Sequence, residues 1–224
     1  MGRLTLFGKR VVEYLVQRHP QLIRQIFIAK KMSPKEVKKR FGSLPVRFID
    51  NRTAQKMSRN GNHQGFLAEI EWEYLPPPLE GNFILILDRV TDMGNIGAIV
   101  RVAYCLGVDL LVVTGIKELK WEGVIRTSAG AALDMPILVE QNILEIINRL
   151  KTRGYLIVGA DRGGECRVKA SKLALIMGSE GEGLSGKVRK RLDKILTIEF
   201  KREFDSLNVA TAAAILIDRI ANEC

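Results

Sequence analysis

The feature that most constrains the fold of this chain is a series of short, continuous apolar runs in its last two thirds. Residues 83–87 and 173–177 contain no charged side chain, and segments with helical periodicity lie between such runs. Strands that are apolar on both faces are typical of a parallel sheet covered by helices on both sides. We therefore predict an α/β fold with a Rossmann-like parallel sheet. Ligands of such sheets bind beyond the carboxyl ends of the strands. We therefore expect the functional residues in the loops after Leu87, Met177 and Ile198.

A proline-rich segment divides the chain. Tyr74-Leu-Pro-Pro-Pro-Leu-Glu-Gly81 contains three consecutive prolines, which neither continue a helix nor pair within a central strand. We predict a small α/β domain at residues 1–74, a linker at 75–82 and the parallel-sheet domain at 83–224. Predicted helices of the first domain lie at 8–18, 33–41 and 53–57, and its strands at 25–29, 46–49 and 65–72. Those of the second domain are helices at 95–106, 119–127, 143–152 and 207–221, and strands at 83–87, 110–113, 136–139, 155–159, 173–177 and 194–199.

Positive charge is concentrated in the first domain. Residues 1–74 hold fifteen Lys/Arg against six Asp/Glu, whereas residues 75–224 hold twenty against nineteen, so a net +9 of the total +10 lies before the linker. This asymmetry favours a module that binds a polyanion beside a nearly neutral body. A solvated basic face that serves only solubility is the alternative.

Composition and motifs exclude several classes of protein. No apolar run approaches the ~20 residues that a membrane-spanning helix needs, and no secretory segment is evident, so we expect a soluble cytoplasmic protein. The cysteines (Cys105, Cys166 and Cys224) form no CxxC pair, which disfavours disulfides and structural zinc. We expect no metal, and we expect Cys105 to be a small core residue.

Nucleotide and hydrolase motifs are also missing. The turn after residue 88 does not match GxGxxG, which disfavours a nicotinamide dehydrogenase. The segment Gly181–Lys187 approaches a phosphate-binding loop, but Val188 stands where a Ser or Thr would bind magnesium. No Gly-x-Ser-x-Gly nucleophile elbow occurs.

Three polar clusters remain, each after a predicted strand or before a predicted helix. They are Asp88…Asp92-Met-Gly-Asn95 with Arg101, Met177-Gly-Ser-Glu-Gly-Glu-Gly183, and Asp205-Ser-Leu-Asn-Val209. Each has an ordinary explanation: Asn95 as a helix N-cap, the glycines as a tight turn, and Ser206 or Asn208 as the cap of the last helix. Their occurrence together is harder to explain in structural terms alone.

The three clusters resemble the three motifs of the SpoU (TrmH-type) RNA ribose 2′-O-methyltransferases of the SPOUT superfamily. Residues 88–101, 175–184 and 206–213 resemble the first, second and third motif, and the basic domain ending in Asn62-His-Gln-Gly65 resembles the substrate-binding domain of the branch that methylates guanosine in large-subunit ribosomal RNA. The chain departs from the family at Met93-Gly94, where Pro-His or a similar pair is common, and at Asp205 and Ala210 around the third motif.

The resemblance implies methyl transfer from S-adenosylmethionine to a ribose 2′-hydroxyl. Because the sulfonium is already an activated donor, the protein must chiefly align the 2′-oxygen and assist loss of its proton. Arg101 is implied as the key catalytic residue; since arginine stays protonated at neutral pH, we favour phosphate positioning and stabilisation of the developing alkoxide over a role as base. The other implied catalytic residues are Asn95, Glu180, Ser206 and Asn208, and the implied cofactor-binding residues are Gly178, Ile198 and Leu207.

The resemblance also implies a fold and partners that composition does not show. The segment from about residue 173 would form a deep trefoil knot, and two chains would pair through this domain as a homodimer. The basic domain would supply cations to RNA phosphates. The residues implied for this RNA contact are Lys30, Lys31, Arg52, Arg59, His63 and the cations of 38–40. Ribosomal RNA is favoured as substrate, with transfer RNA and a catalytically silent RNA-binding relative as alternatives.

Overall fold

The structure is a computed structural model of the chain and describes residues 2–222. The chain forms two compact units, Met1–Leu75 with Trp121–Leu133, and Pro76–Lys120 with Asp134–Cys224. Cys224 lies outside the described residues.

Strands and helices alternate along most of the chain. The strands are β1 (Gly2–Phe7), β2 (Ile23–Ile28), β3 (Val46–Phe48), β4 (Phe66–Trp72), β5 (Phe83–Asp88), β6 (Leu110–Thr114), β7 (Ile137–Glu140), β8 (Leu156–Glu165), β9 (Leu173–Met177) and β10 (Lys194–Leu196). The α-helices are α1 (Lys9–Arg18), α2 (Pro34–Phe41), α3 (Asn51–Met57), α4 (Met93–Cys105), α5 (Trp121–Thr127), α6 (Ile143–Thr152), α7 (Gly186–Arg189) and α8 (Val209–Asn222).

The first unit is built on a mixed four-stranded sheet in the order β1-β4-β2-β3. Neighbouring strands are antiparallel except for β2 and β3, which run parallel. Its buried side chains include Leu6, Leu15, Ile26 and Phe66. Strand β3 stands at the end of this order and so forms one edge of the sheet.

Two helices of the first unit begin at side-chain caps. Ser33 and Glu36 form the predicted capping box of α2, in which Ser33 Oγ accepts a hydrogen bond from the Glu36 N–H (3.3 Å) and Glu36 Oε2 accepts one from the Ser33 N–H (2.7 Å). Asp50 caps α3 by accepting a hydrogen bond from the Thr53 N–H at 2.9 Å. The local sequence therefore fixes where both helices start.

The first unit also contains the segment Trp121–Leu133, which was predicted to belong to the second domain. The ring of Trp121 lies 4.9 Å from that of Trp72 and 4.7 Å from that of Tyr74. Glu122 Oε1 accepts a hydrogen bond from the Thr5 N–H at 3.1 Å. These contacts join α5 to the four-stranded sheet. The division of the chain into domains at residues 75–82 stays a prediction.

The second unit is built on a six-stranded sheet in the order β10-β8-β9-β5-β6-β7, and each neighbouring pair is parallel. The apolar residues of β5 and β9, which lie side by side in the middle, are almost entirely buried. The α/β prediction with a parallel sheet is confirmed. The trefoil knot stays a prediction.

Strand order explains where this sheet can hold a ligand. From β5 the chain proceeds outward through β6 and β7, and it then returns to β8, beyond β9, on the other side of β5. The order therefore reverses between β5 and β9, and the loops after such strands diverge to leave a crevice. The first and second polar clusters follow β5 and β9 respectively.

Some local predictions were wrong. Strand β1 was not predicted, β10 ends at Leu196 and not at residue 199, and α8 begins at Val209 and not at residue 207. Cys105 is exposed at the end of α4 and is not a core residue. Within the described residues, no helix is long and apolar enough to cross a membrane, and no cluster of His, Cys, Asp and Glu could hold a metal ion.

Candidate active site

The three polar clusters of the sequence meet beyond the carboxyl ends of β5 and β9. Asn95 Nδ2 donates a hydrogen bond to Glu180 Oε1 at 2.6 Å. Asn208 Nδ2 donates to Asn95 Oδ1 at 3.0 Å and lies 3.4 Å from the same Glu180 oxygen. One residue from each cluster therefore belongs to a single hydrogen-bonded group, which we call the amide–carboxylate triad.

The helix caps of this region leave the triad side chains available. Asp92 caps α4 by accepting a hydrogen bond from the Asn95 N–H at 2.7 Å, so Asn95 is not the N-cap and its amide is free to turn toward Glu180. Asn208 serves both roles: Oδ1 accepts from the Ala210 N–H at 2.9 Å, while Nδ2 faces the triad. The capping alternative therefore holds for Asn208 without excluding a role in the site.

A cavity of about 500 Å³ lies beside the triad. Three of its lining residues are the predicted cofactor-binding residues Gly178, Ile198 and Leu207, and three more are Glu180, Ser206 and Asn208. Its volume is in the range of small-molecule sites. Other lining residues were not predicted from the sequence, including Asp161, Arg162, Thr197 and Phe200.

One feature of the cavity wall calls for a polar ligand. Ser179 Oγ is a buried side-chain atom without a hydrogen-bond partner in the described part of the chain, and Ser179 lines the cavity. Leu207, Val209 and Leu216 add apolar surface. A mixed wall of backbone, hydroxyl and aliphatic groups suits a nucleoside with an aliphatic side chain, so the residues present fit S-adenosylmethionine.

Arg101 lies apart from the triad. It is exposed on α4, six residues beyond Asn95 and thus about 9 Å farther along the helix axis, and it does not line the cavity. Among residues 2–222 Arg101 makes no ion pair or hydrogen bond through its guanidinium, which leaves this group available to an anion. Ser206 is exposed and lines the cavity.

Arg89, which was not predicted as a site residue, stabilises the loop after β9, which contains the second polar cluster. Its Nε donates to Asp88 Oδ2 (3.1 Å), Nη1 donates to Glu182 Oε2 (2.6 Å), and Nη2 donates to the carbonyl of Gly183 (3.0 Å). Asp88 is buried and also accepts a hydrogen bond from Thr114 Oγ1 at 3.0 Å. The pKa of Arg89 is raised above its ordinary value, chiefly by the hydrogen bond and the charge attraction from Asp88, with a further contribution from Glu182. Partial burial of the guanidinium opposes this rise. No spacing pattern in the sequence pointed to this contact.

The residues predicted to contact RNA differ in exposure. Lys30, Lys31, Arg52 and Arg59 are exposed, and Arg59 has a left-handed backbone with φ 51°. His63 is buried, and its Nδ1 accepts a hydrogen bond from the Gly65 N–H at 3.0 Å. The imidazole therefore supports the 58–65 loop from inside and does not present the exposed side chain that was predicted.

Comparison with known proteins identifies the class to which this fold and site belong. The SpoU rRNA Methylase family matches residues 82–218, and the RNA 2′-O ribose methyltransferase substrate-binding family matches residues 5–74. The chain belongs to the SpoU rRNA methylase family. It is an RNA ribose 2′-O-methyltransferase, and S-adenosylmethionine is its methyl donor.

Individual relatives resemble the chain over nearly its whole length. It is 30% identical to an uncharacterized tRNA/rRNA methyltransferase of Borreliella burgdorferi, covering 88% of this chain and 97% of the relative. It is 28% identical to the 23S rRNA (guanosine-2′-O-)-methyltransferase RlmB of Escherichia coli, with 95% of each chain covered. The crystal structure of the SpoU methyltransferase AviRb from Streptomyces viridochromogenes, a complex with AdoMet, has the same fold, with a TM-score of 0.77 at 22% identity over 99% of this chain and 90% of that one.

Proposed function

We propose that this enzyme methylates the ribose 2′-hydroxyl of a guanosine in large-subunit ribosomal RNA. The observation that carries the proposal is the likeness to the E. coli 23S rRNA guanosine methyltransferase, which extends over 95% of both chains and so includes the basic first unit. A substrate-binding unit of this kind enlarges the contact with RNA beyond the nucleotide that is methylated. We also propose that the enzyme works in the cytoplasm.

The proposed roles of the site residues follow from their positions. S-adenosylmethionine, when bound, supplies a methyl group already activated on a sulfonium. Gly178, Ile198 and Leu207 line the cavity and would contact this donor, largely through their backbone groups. Ser206 is exposed at the same cavity, where its hydroxyl can hydrogen-bond the target nucleotide.

The amide–carboxylate triad would fix the position of the target ribose. Glu180 Oε1 receives both amide groups, so the carboxylate is held in one orientation relative to Asn95 and Asn208. A misplacement of about 1 Å at a reacting centre can reduce the rate about 10²-fold. The triad therefore acts through alignment, with Glu180 as the residue on which the alignment depends.

Arg101 would act through the positive charge of its guanidinium. Its exposed guanidinium has no partner among the described residues and can bind the phosphate next to the target ribose. From there it also stabilises the alkoxide that develops as the 2′-hydroxyl loses its proton. Because arginine remains protonated at neutral pH, it is assigned electrostatic stabilisation and not proton removal.

A homodimer is part of the proposal. Along α8, the small and aliphatic residues Ala210, Ala214 and Ile215 are only partly buried within one chain. Such a strip is suited to packing against a second copy. Light scattering of the purified protein should therefore give twice the mass of one chain.

The test is methyl transfer to defined RNAs. Unmethylated ribosomal RNA and transfer RNA are incubated separately with the protein and S-adenosylmethionine, digested to nucleosides, and searched by mass spectrometry for 2′-O-methylguanosine. We expect product from ribosomal RNA alone, and a loss of about 10²- to 10³-fold in rate for Arg101→Ala. Arg149→Ala, which removes a partly exposed arginine of α6 outside the cavity wall, is the matched control and should keep the wild-type rate.

Each of the other outcomes would overturn a separate part of the proposal. Product from transfer RNA alone would keep the chemistry and overturn the target. Product with another base would overturn guanosine. No product from either RNA, together with measured binding of S-adenosylmethionine, would overturn both free RNAs as substrates.

A further inference from the structure

The first unit carries an exposed aromatic ring within its basic surface. Phe48, at the end of the edge strand β3, is 54% exposed. Two other phenylalanines of the unit have partners: Phe41 packs edge-on against Phe66, and Lys30 and Arg40 lie over the Phe66 ring at 4.1 and 5.1 Å. In the described part of the chain, Phe48 has no such ring or cation partner. A single exposed apolar side chain is common on protein surfaces, so the case for a ligand depends on the cleft and the charges around Phe48.

The ring forms part of an open cleft between α2 and the end of β3, with a volume of about 770 Å³. Met32 and Val37 give the cleft further apolar surface, Lys38 lies at its wall, and Ser43 supplies a hydroxyl. We call this the Phe48 cleft. It is distinct from the cavity that holds the methyl donor, which belongs to the other unit.

The segment of the chain that forms the cleft is strongly basic. Residues 30–59 contain ten Lys/Arg against two Asp/Glu, and the two carboxylates, Glu36 and Asp50, are both occupied as acceptors in helix caps. On α2, Lys35, Lys38 and Lys39 are exposed and form no ion pair with another described residue. These ammonium groups are available to phosphates on the helix that borders the cleft.

We propose that the Phe48 cleft binds one unpaired nucleobase of the substrate RNA, with the base stacked on the Phe48 ring and the adjoining phosphates bound by the lysines of α2. The inference rests on the proposed function only in taking RNA as the ligand of the first unit. Flat bases stack on exposed aromatic rings, while neighbouring cations bind the backbone. Because a paired base is already stacked within its helix, the cleft selects RNA with an unpaired nucleotide at this position. The enzyme would then read the local structure of the RNA through a unit other than the one that holds the methyl donor.

Binding of three labelled RNAs to the full-length protein tests this inference. The probes are an unpaired RNA of about 12 nucleotides, a fully paired duplex of the same length, and an abasic strand with the same number of phosphates. We expect Phe48→Ala to weaken binding of the unpaired RNA by about 5- to 100-fold and to leave the other two probes unchanged. The salt dependence of binding should also stay the same, because no phosphate contact is removed.

Matched variants separate stacking from charge and from folding. Phe48→Trp keeps a ring and should retain binding of the unpaired RNA. Lys38→Ala should weaken binding of all three probes and lower the slope of log K against log salt by about one. Leu75→Ala removes another exposed apolar side chain, one that is 76% exposed, and should change nothing. Thermal melting of each variant checks the fold. If Phe48→Ala melts at a lower temperature than the wild type, the test uses Phe48→Trp at wild-type stability, and loss of binding to the unpaired RNA by this variant would contradict the inference.

The outcomes that overturn the inference are specific. They are wild-type binding of the unpaired RNA by Phe48→Ala, or an equal loss for the unpaired, paired and abasic probes. This assay requires neither methyl transfer nor a particular ribosomal target. A selective loss with Phe48→Ala would therefore support the cleft even if the methylation assay moved the target to transfer RNA.

Discussion

The two units of this enzyme use their polar residues in opposite ways. Around the six-stranded sheet, Asn95, Glu180 and Asn208 come from distant parts of the chain and bind one another, so each side chain depends on the other two. Around the four-stranded sheet, the lysines of α2 face solvent separately, and the carboxylates nearby are occupied in local helix caps. This difference indicates that alignment of a reacting group requires side chains that hold one another in place, whereas binding of a polyanion can use cations that act independently.

The strongest test of this contrast is Glu180→Ala. Removing the shared acceptor should free both amides and lower the rate of methyl transfer by about 10²-fold, while RNA binding by the first unit is unchanged. Single-turnover methylation and RNA titration measure the two effects. Glu182→Ala, in the same loop but directed to Arg89, is the matched control and should lose much less.

Coupling within the triad has its own signature. If the three residues act as a unit, Asn95→Ala and Asn208→Ala should add little to the loss already caused by Glu180→Ala. Multiplicative losses in the double variants would mean that the residues act independently, and the contrast between the units would then fail. On α2, by contrast, the losses in RNA affinity from Lys35→Ala and Lys39→Ala are expected to multiply.

The contrast also explains what could be predicted from sequence. The strand at 173–177 was predicted with the bounds observed for β9, because a continuous apolar run records burial on both faces. Strand β1 was missed because its evidence lies in pairing with β4, where Leu4 faces Ile70 across more than sixty residues of chain. Cys105 was placed in the core from its residue type alone, although it lies in the last turn of α4 on the solvent side.

Site prediction followed the same division. The members of the triad were predicted through the resemblance of three motifs, but their hydrogen bonds are tertiary and no spacing specifies them. Arg89 lies within the segment that resembles the first motif but was not singled out, because an arginine after a strand has many ordinary roles. His63 was misplaced because a histidine in a polar, glycine-bearing loop resembles an exposed contact, whereas its ring is directed inward to the Gly65 N–H.

A second test concerns the stability of the loop that carries Glu180. Arg89→Ala should leave the buried carboxylate of Asp88 with Thr114 as its remaining side-chain partner and destabilise the second unit by about 2–4 kcal/mol. Urea unfolding followed by circular dichroism measures this change. The control is Lys194→Ala, which breaks an exposed ion pair with Glu165 (2.9 Å) and should cost less than about 1 kcal/mol.

A double variant identifies the cause of that loss. Asp88→Asn removes the charge that Arg89 neutralises, so Asp88→Asn with Arg89→Ala should be more stable than Arg89→Ala alone. If the double variant is the less stable of the two, the unpaired carboxylate is not the cause. Arg89 would then act mainly through its bond to the Gly183 carbonyl.

The smallest expected effect is a pH dependence confined to the first unit. The pKa of Glu36 is lowered by hydrogen bonds from the backbone and hydroxyl of Ser33, and that of Asp50 by hydrogen bonds from the hydroxyl and backbone of Thr53. Since the pKa of each group is lower in the folded than in the unfolded state, each stabilises the fold above its unfolded value and loses that contribution as the pH falls through its folded value. Amide hydrogen exchange should therefore become faster at the starts of α2 and α3 as the pH falls below about 4, relative to the intrinsic rate.

The combined variant Glu36→Gln and Asp50→Asn gives this prediction its control, because its side chains still accept hydrogen bonds but no longer titrate near pH 4. Its two helix starts should be less protected than those of the wild type at neutral pH and should change little on acidification. Acid-induced opening of the same size in wild type and variant would assign the effect to other carboxylates. This result also tests the contrast between the units. If the residues of the first unit act independently, protonation of one cap should open only the helix that begins there. Loss of protection at both helix starts when only one of the two caps is substituted would instead show that the first unit is coupled as tightly as the triad.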